Sequence, residues 1–279
     1  MEFRLCPKCN LNWIPTYKEL CDVCNAPSVL PTRTKKPKCS AIKKEKSIPQ
    51  SNVAFKCNYC DGGRNLQVMG FHGVCSDDVI KYNIEAAKRT WCSAPNCFCR
   101  KYLMGEISRS ELDARHHEKK DVCYESSVLD LWRIGCGMVV NGKNKGKPNR
   151  LLGVRTNSLC VLTSTDPQAN SHDRFIFAAF LVLRADEGSD TVAGYVEAHP
   201  NYRISFTPEE AKKLKFWNYY RNNSEKAPYQ WGNNLFRYLN DEIAVKILKD
   251  IVKVKENTAE EQNAKTMLER FCQTHNLSH

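Results

Sequence analysis

The cysteines are the side chains with the plainest chemistry: there are 15 among 279 residues, and eleven of them fall before residue 100. Two thiols separated by two residues form a tight knuckle that aims both sulfurs at one point, which suits a metal ion or a redox dithiol. The chain opens with two such pairs, Cys6-x2-Cys9 and Cys21-x2-Cys24, eleven residues apart. A second set begins at Cys57-x2-Cys60, continues through Cys75, and ends in Cys92-x4-Cys97-x-Cys99.

The first set, LCPKCNLNWIPTYKELCDVCN, resembles a zinc ribbon. Two knuckles supply the four thiolates of a tetrahedral site, and a segment of about 25 residues is too short for a core of its own, so metal binding would drive its folding. A closed four-sulfur site leaves no position for water, so Cys6, Cys9, Cys21 and Cys24 are expected to be structural ligands. A redox role has little support, because no βαβ pattern surrounds either pair.

In the second set, Cys57 and Cys60 precede Asp61-Gly62-Gly63 as in another zinc knuckle. One site would take Cys57, Cys60 and two of Cys75, Cys92, Cys97 and Cys99, and the spacing leaves the choice open, with His72 also near in sequence. Zinc is the expected ion here, giving two per chain. An iron–sulfur cluster is the rival, although neither ferredoxin spacing is matched. Cys160 and Cys272 stand in apolar company and read as packed thiols, whereas Cys123 and Cys136 lie close enough in sequence to join the second set.

Charge is equally localised. The formal net charge is +11, from 42 Lys+Arg against 31 Asp+Glu. Residues 33–46 alone carry Arg33, Lys35, Lys36, Lys38, Lys43, Lys44 and Lys46 against a single Glu. This stretch reads as a basic linker that would contact a phosphate backbone through sequence-independent, salt-sensitive attraction, or would merely be a solvated spacer. In a eukaryotic host it would also suit nuclear import. A second basic loop, NGKNKGKPNRL, holds Lys143, Lys145 and Lys147 but lacks the GK[ST] ending of a phosphate-binding P-loop.

Residues 216–238 hold eight aromatics and two arginines. One reading is a base pocket bounded by Trp217, Tyr220 and Trp231, with Arg221 and Arg237 on the backbone. The other is that Phe216, Trp217, Tyr220, Leu235, Phe236 and Leu239 simply pack helices on a sheet. No catalytic residue set emerges: His116 and His117 lie in a charged helical stretch, and the zinc-deaminase and HNH-nuclease patterns are absent.

The elements that must position these groups are legible in part. GEISRSELDARHHEKK and YESSVLDLWRI read as helices over the metal region, with Ser108 or Ser110 as a cap. RLLGVRT, SLCVLTST, RFIFAAFLVLRAD, TVAGYVEA and YRISF read as about five strands, and the wholly apolar Phe175–Leu183 as a central one buried on both faces. Thr207-Pro208-Glu209-Glu210 is a capping box opening a helix through AKKLKFWNYY, and DEIAVKILKDIVKV is an amphipathic helix. The expected fold is α+β: a zinc ribbon at 1–30, a basic linker at 31–54, a cysteine-rich α-helical metal-binding module at 55–136, a curved or barrel-like sheet flanked by helices at 137–255, and a charged helical tail at 256–279.

The order SLCVLTS, RFIFAAFLVL, GYVEA over roughly residues 132–220 is similar to the β-barrel part of PUA-like domains, the superfamily that includes the SRA, EVE, YTH and ASCH families. The resemblance implies RNA or DNA binding, with a modified or flipped base as one mode. It transfers no pocket residue, because no defining signature stands in the chain.

With 42% hydrophobic and 26% charged residues the composition is that of a globular protein, which excludes a wholly disordered chain. No apolar run reaches the roughly 18 residues of a membrane span. The polar, cysteine-bearing start does not read as a secretory signal, so a reducing, cytoplasmic setting is expected. The leading expectation is a zinc-binding protein of DNA or RNA. The competing ones are a metal-dependent nuclease or iron–sulfur enzyme centred on residues 57–136, and an adaptor whose zinc modules bind a protein partner.

Overall fold

The computed structural model describes residues 3–5, 13–15, 19, 49–62, 70–118, 123–167, 169–223, 227–232 and 234–277. The chain divides into two compact units, Met1–Lys46 and Ser47–His279. In the first, β1 (Phe3–Leu5) pairs antiparallel with β2 (Trp13–Pro15), Arg4 opposite Ile14. The four cysteines of the expected ribbon and the seven cations of residues 33–46 lie outside the described residues.

The second unit is built on a six-stranded mixed sheet, curled into a half-barrel and flanked by helices. Its strands are β3 (Asn52–Lys56), β4 (Arg133–Gly135), β5 (Leu159–Ser164), β6 (Phe175–Gly188), β7 (Ala193–Ser205) and β8 (Phe236–Leu239), in the spatial order β4-β7-β6-β5-β3-β8. β3 runs parallel to β5, Val53 opposite Cys160, while the other pairings are antiparallel. β6 is the centre, as its apolar sequence predicts: every residue from Phe175 to Val182 is buried. Curvature comes from register shifts between Leu162 and Thr163 in β5, and between Phe180 and Arg184 in β6, since an extra residue on one strand bends it and increases its twist.

Pro200 sits inside β7, between the pairs Val182↔Ala198 and Phe180↔Arg203 where the register shifts. A residue without an N–H is tolerated there because the ladder is already broken. The two short runs GYVEA and YRISF are therefore one long strand. RLLGVRT, expected as a strand, is irregular: Gly153 has φ +74° and Leu151 donates its N–H to Glu187 O at 3.0 Å, anchoring the run without a ladder.

The cysteine-rich stretch is the connection from β3 to β4, that is, from beside one edge of the sheet to the other edge. It holds α1 (Asp77–Lys81), a π-turn at Tyr82–Ala86, α2 (Phe98–Leu103), α3 (Arg109–His117) and α4 (Tyr124–Leu131). Ser108, not Ser110, caps α3, accepting from Glu111 N–H at 3.1 Å. The stretch is fastened to the sheet by Phe71, which lies on Phe177 with ring centroids 3.9 Å apart. Thus the segments read separately as 55–136 and 137–255 share one sheet.

Helix α5 (Pro208–Lys213) has the full capping box, Thr207 N–H to Glu210 Oε2 at 2.8 Å and Glu210 N–H to Thr207 Oγ1 at 3.2 Å. It ends earlier than its sequence suggests, because Ile176 N–H bonds Leu214 O and Phe216 N–H bonds Arg174 O, drawing the backbone onto the start of β6. Helix α6 (Asp241–Val254) buries Ala244, Ile247, Leu248 and Ile251, a spacing of three and four that puts them on one face. The tail is a packed helix, α7 (Glu261–His275), burying Ala264, Met267, Phe271 and Cys272.

Candidate functional site

β4 and β8 are opposite edges of the sheet, yet the curl brings them face to face. A Cβ built on Gly137, two residues past β4, would lie 2.8 Å from Leu235 Cδ1, immediately before β8. Beside this contact the edges part around a cavity of about 910 Å³. Phe55 and Lys56 of β3 and Ile134 and Gly135 of β4 form its walls, and the β3–β4 connection covers it with Arg89, Trp91, Phe98 and Glu125.

The cavity is strongly cationic. Among the described residues Lys56, Lys88, Arg89, Lys101 and Arg115 line it, against Glu125 as the one carboxylate. Lys56 Nζ donates to Gly232 O at 2.9 Å. Burial first, then the neighbouring Arg174, Arg89 and Arg237, bring its pKa down to about 8. Glu125 is half-buried, and loss of water raises its pKa above the ordinary carboxylate value, while its Oε1 accepts the Asn58 N–H at 3.1 Å. Arg115 and Lys101 lie over the Phe98 ring, at 4.2 and 5.0 Å from its centroid. Trp91 remains 49% exposed, an aromatic face available at the opening.

A second hollow of about 660 Å³ shares Met138, Val140, Asn141 and Leu235 with the first. Tyr220, Arg237, Tyr238, Asn149 and Asn234 complete it. Between the two rises the basic loop, a turn in which Gly142 and Gly146 take φ of +77° and +83° and residues 141–147 are exposed. Lys143, Lys145 and Lys147 therefore stand in solvent at the rim of both hollows. The positive φ values require glycine, which explains the spacing NGKNKGK.

The aromatic group divides. Trp217 and Trp231 are 8% and 4% exposed and pack around Phe216, and Trp217 Nε1 donates to Ser171 O at 2.6 Å. Tyr220 and Arg237 reach the second hollow, with the Arg237 guanidinium 5.2 Å from the Tyr220 ring centroid. Arg221 is exposed and lines neither hollow.

The thiols converge from distant positions. Cys60 and Cys75 hydrogen-bond to each other, as do Cys97 and Cys99, and Cys123 and Cys92 lie in the same neighbourhood. The hydrogen bond from Cys99 lowers the Cys97 pKa to about 6, and its counterpart raises that of Cys99. Gly62 and Gly73 allow the crossing of the two backbones here, because a Cβ on Gly62 would fall on the Gly73 carbonyl. Cys57 lines the same cavity as Cys75, Cys97, Cys99 and Cys123 and shares the neighbouring Glu125 with Cys92, Cys97 and Cys123; it also extends β3, donating its N–H to Thr163 O at 2.9 Å, and lies near Arg174 and Cys160. Cys136, Cys160 and Cys272 are fully buried. His72 Nδ1 is 2.9 Å from Asp130 Oδ1. Among the described residues no three His, Cys, Asp or Glu side chains are gathered closely enough to hold a metal ion.

Sequence reasoning picked out Lys143, Lys145, Lys147, Tyr220 and Arg237 and missed Lys56, Lys88, Arg89, Lys101 and Arg115. Those five are spread along the chain singly or in pairs such as Lys88-Arg89, too short a pattern to mark them. The class defined by fold and site is an α+β protein whose half-barrel opens on a cationic cavity roofed by a thiol-rich connection. The chain matches no protein-family model, no curated protein and no solved structure. No described helix is long and apolar enough to cross a membrane.

Proposed function

We propose that this protein binds nucleic acid, with the backbone tracked by the basic loop and an unpaired nucleotide entering the gap between β4 and β8. The observation that carries this is the charge of the gap: five cations and one carboxylate among the described residues of its lining, with Lys143, Lys145 and Lys147 on the exposed loop that follows Asn141 of that lining. Polyanions bind such a surface by releasing counterions, and exposed rings such as Trp91 and Tyr238 offer stacking faces for bases. A PUA-like C-terminal domain stays part of this reading on the order of its sequence elements alone, and the cations of residues 33–46 would add backbone contacts. Titration with single- and double-stranded DNA and RNA at two salt concentrations tests the reading. Binding that weakens steeply with salt is expected, and no binding to any of the four at low salt would exclude it.

Zinc belongs to the same proposal. Cys6, Cys9, Cys21 and Cys24 would hold one ion by their spacing, and Cys57, Cys60 and two of Cys75, Cys92, Cys97 and Cys99 would hold a second, drawing together thiols that among the described residues are not gathered closely enough on their own. Its chemistry would be structural, tying the short helices of the β3–β4 connection together. Elemental analysis should find about two zinc per chain. Iron with visible absorbance would replace the second ion by a cluster.

A further inference from the structure

We infer that Lys56, Arg174 and Arg237, gathered around Trp231, together with Arg89 beside Lys56, form a binding site for a phosphate group. The four cations come from separate places in the fold: the end of β3, the stretch after the π-turn, the residue before β6, and β8. Trp231 is the neighbour of three of them, and Arg89 lies beside Lys56. The Arg174 and Arg237 guanidinium carbons lie 5.0 and 5.4 Å from its ring centroid, and Lys56 Nζ is bonded to the carbonyl of the adjacent Gly232. Arg89 lines the cavity beside Lys56 and is close enough to repel both Lys56 and Arg174.

Two features make this a site instead of a scatter of charge. Among the described residues none of the four forms an ion pair with a carboxylate. Glu125 reaches Arg89 only through space and is engaged by Asn58 N–H. Second, buried donors are left without acceptors: Arg89 Nε, Arg237 Nε and Trp231 Nε1 have no hydrogen-bond partner, and Trp231 is only 4% exposed. Buried N–H groups without acceptors and cations without counter-charge are each costly, and a phosphate with its several acceptor oxygens relieves both. Arg174, 8% exposed and tied by Nη1 to Thr163 Oγ1 at 3.1 Å, gives the site a rigid floor.

This deepens the nucleic-acid reading and rests on it only for the source of the phosphate. The test uses the full chain and the double variant Lys56→Gln/Arg89→Gln, both positions being half-buried on the cavity lining. Inorganic phosphate at about 10 mM should raise the melting temperature of the wild type by about 3 °C over chloride of equal ionic strength. The double variant should lose that increment while melting no lower than wild type in chloride, because it removes mutual repulsion. An equal phosphate increment in both proteins would reflect general salting-out and overturn the site. A second arm compares oligonucleotides with a 5′-phosphate and a 5′-hydroxyl. Tighter binding of the phosphorylated strand, lost in the variant, identifies a strand terminus as the source, and equal binding with the thermal increment kept identifies free phosphate or a nucleotide. If neither strand binds but the increment persists, the phosphate site stands and the nucleic-acid reading falls.

Discussion

The Phe71 ring lies flat on Phe177, 3.9 Å between centroids and 3° between planes, and so joins the thiol-rich connection to the central strand of the sheet. Phe71 also has φ +74°, a backbone region that bulky residues rarely enter. The stack holds a strained residue in place. Phe71→Ala should cost about 3–5 kcal/mol in urea unfolding through the cavity it leaves. Phe71→Gly should be no worse than the alanine variant, reversing the usual order, because glycine has no objection to that φ. A glycine variant clearly less stable than the alanine one would argue against the strain.

Trp217 behaves in this structure as a core residue, 8% exposed with its indole N–H bonded to Ser171 O. Trp217→Ala should therefore lower stability by about 3–5 kcal/mol. If binding were lost with the melting temperature unchanged, a contact with ligand would replace this packing role.

Lys255 is the most buried lysine among the described residues, with Glu210 Oε2 at 2.8 Å, Glu260 Oε2 at 2.6 Å and Ser205 O at 3.0 Å. It locks α5 and the turn before α7 to the end of β7. Lys255→Ala leaves Glu210 partly buried without its partner, so a loss of about 3–5 kcal/mol is expected by chemical denaturation. Thr207→Ala, which removes only the cap of α5, should cost about 1 kcal/mol.

Replacing Lys143, Lys145 and Lys147 together by Gln should weaken oligonucleotide binding to a similar degree for every sequence. The slope of log affinity against log salt should fall by about 2–3, as expected for the loss of about three phosphate contacts. Stability should hardly move, since residues 141–147 are exposed. An unchanged slope would remove the loop from the interface.

What was legible in the sequence was local. The apolar run of β6, the capping box at Thr207, the face of α6 and the glycine-spaced basic loop each express a period or a turn rule within a short window, and each stands in the structure as expected. Burial of Cys160 and Cys272 also followed from their apolar neighbours.

What the tertiary structure alone decided was which distant pieces meet. β3 and β8 join the sheet although they are short and lie far from its other strands in sequence, because backbone N–H and C=O groups at a sheet edge pair with whatever the chain brings alongside. The same closure sets Cys57 near Cys160 while keeping it on the cavity lined by Cys75, Cys97, Cys99 and Cys123, and it ends α5 at Lys213 where β6 captures the backbone. It also assembles Lys56, Arg174 and Arg237 around one tryptophan, with Arg89 beside Lys56. A lone cation carries no periodic signal, so its partners become visible only once the half-barrel has curled and its two edges face each other.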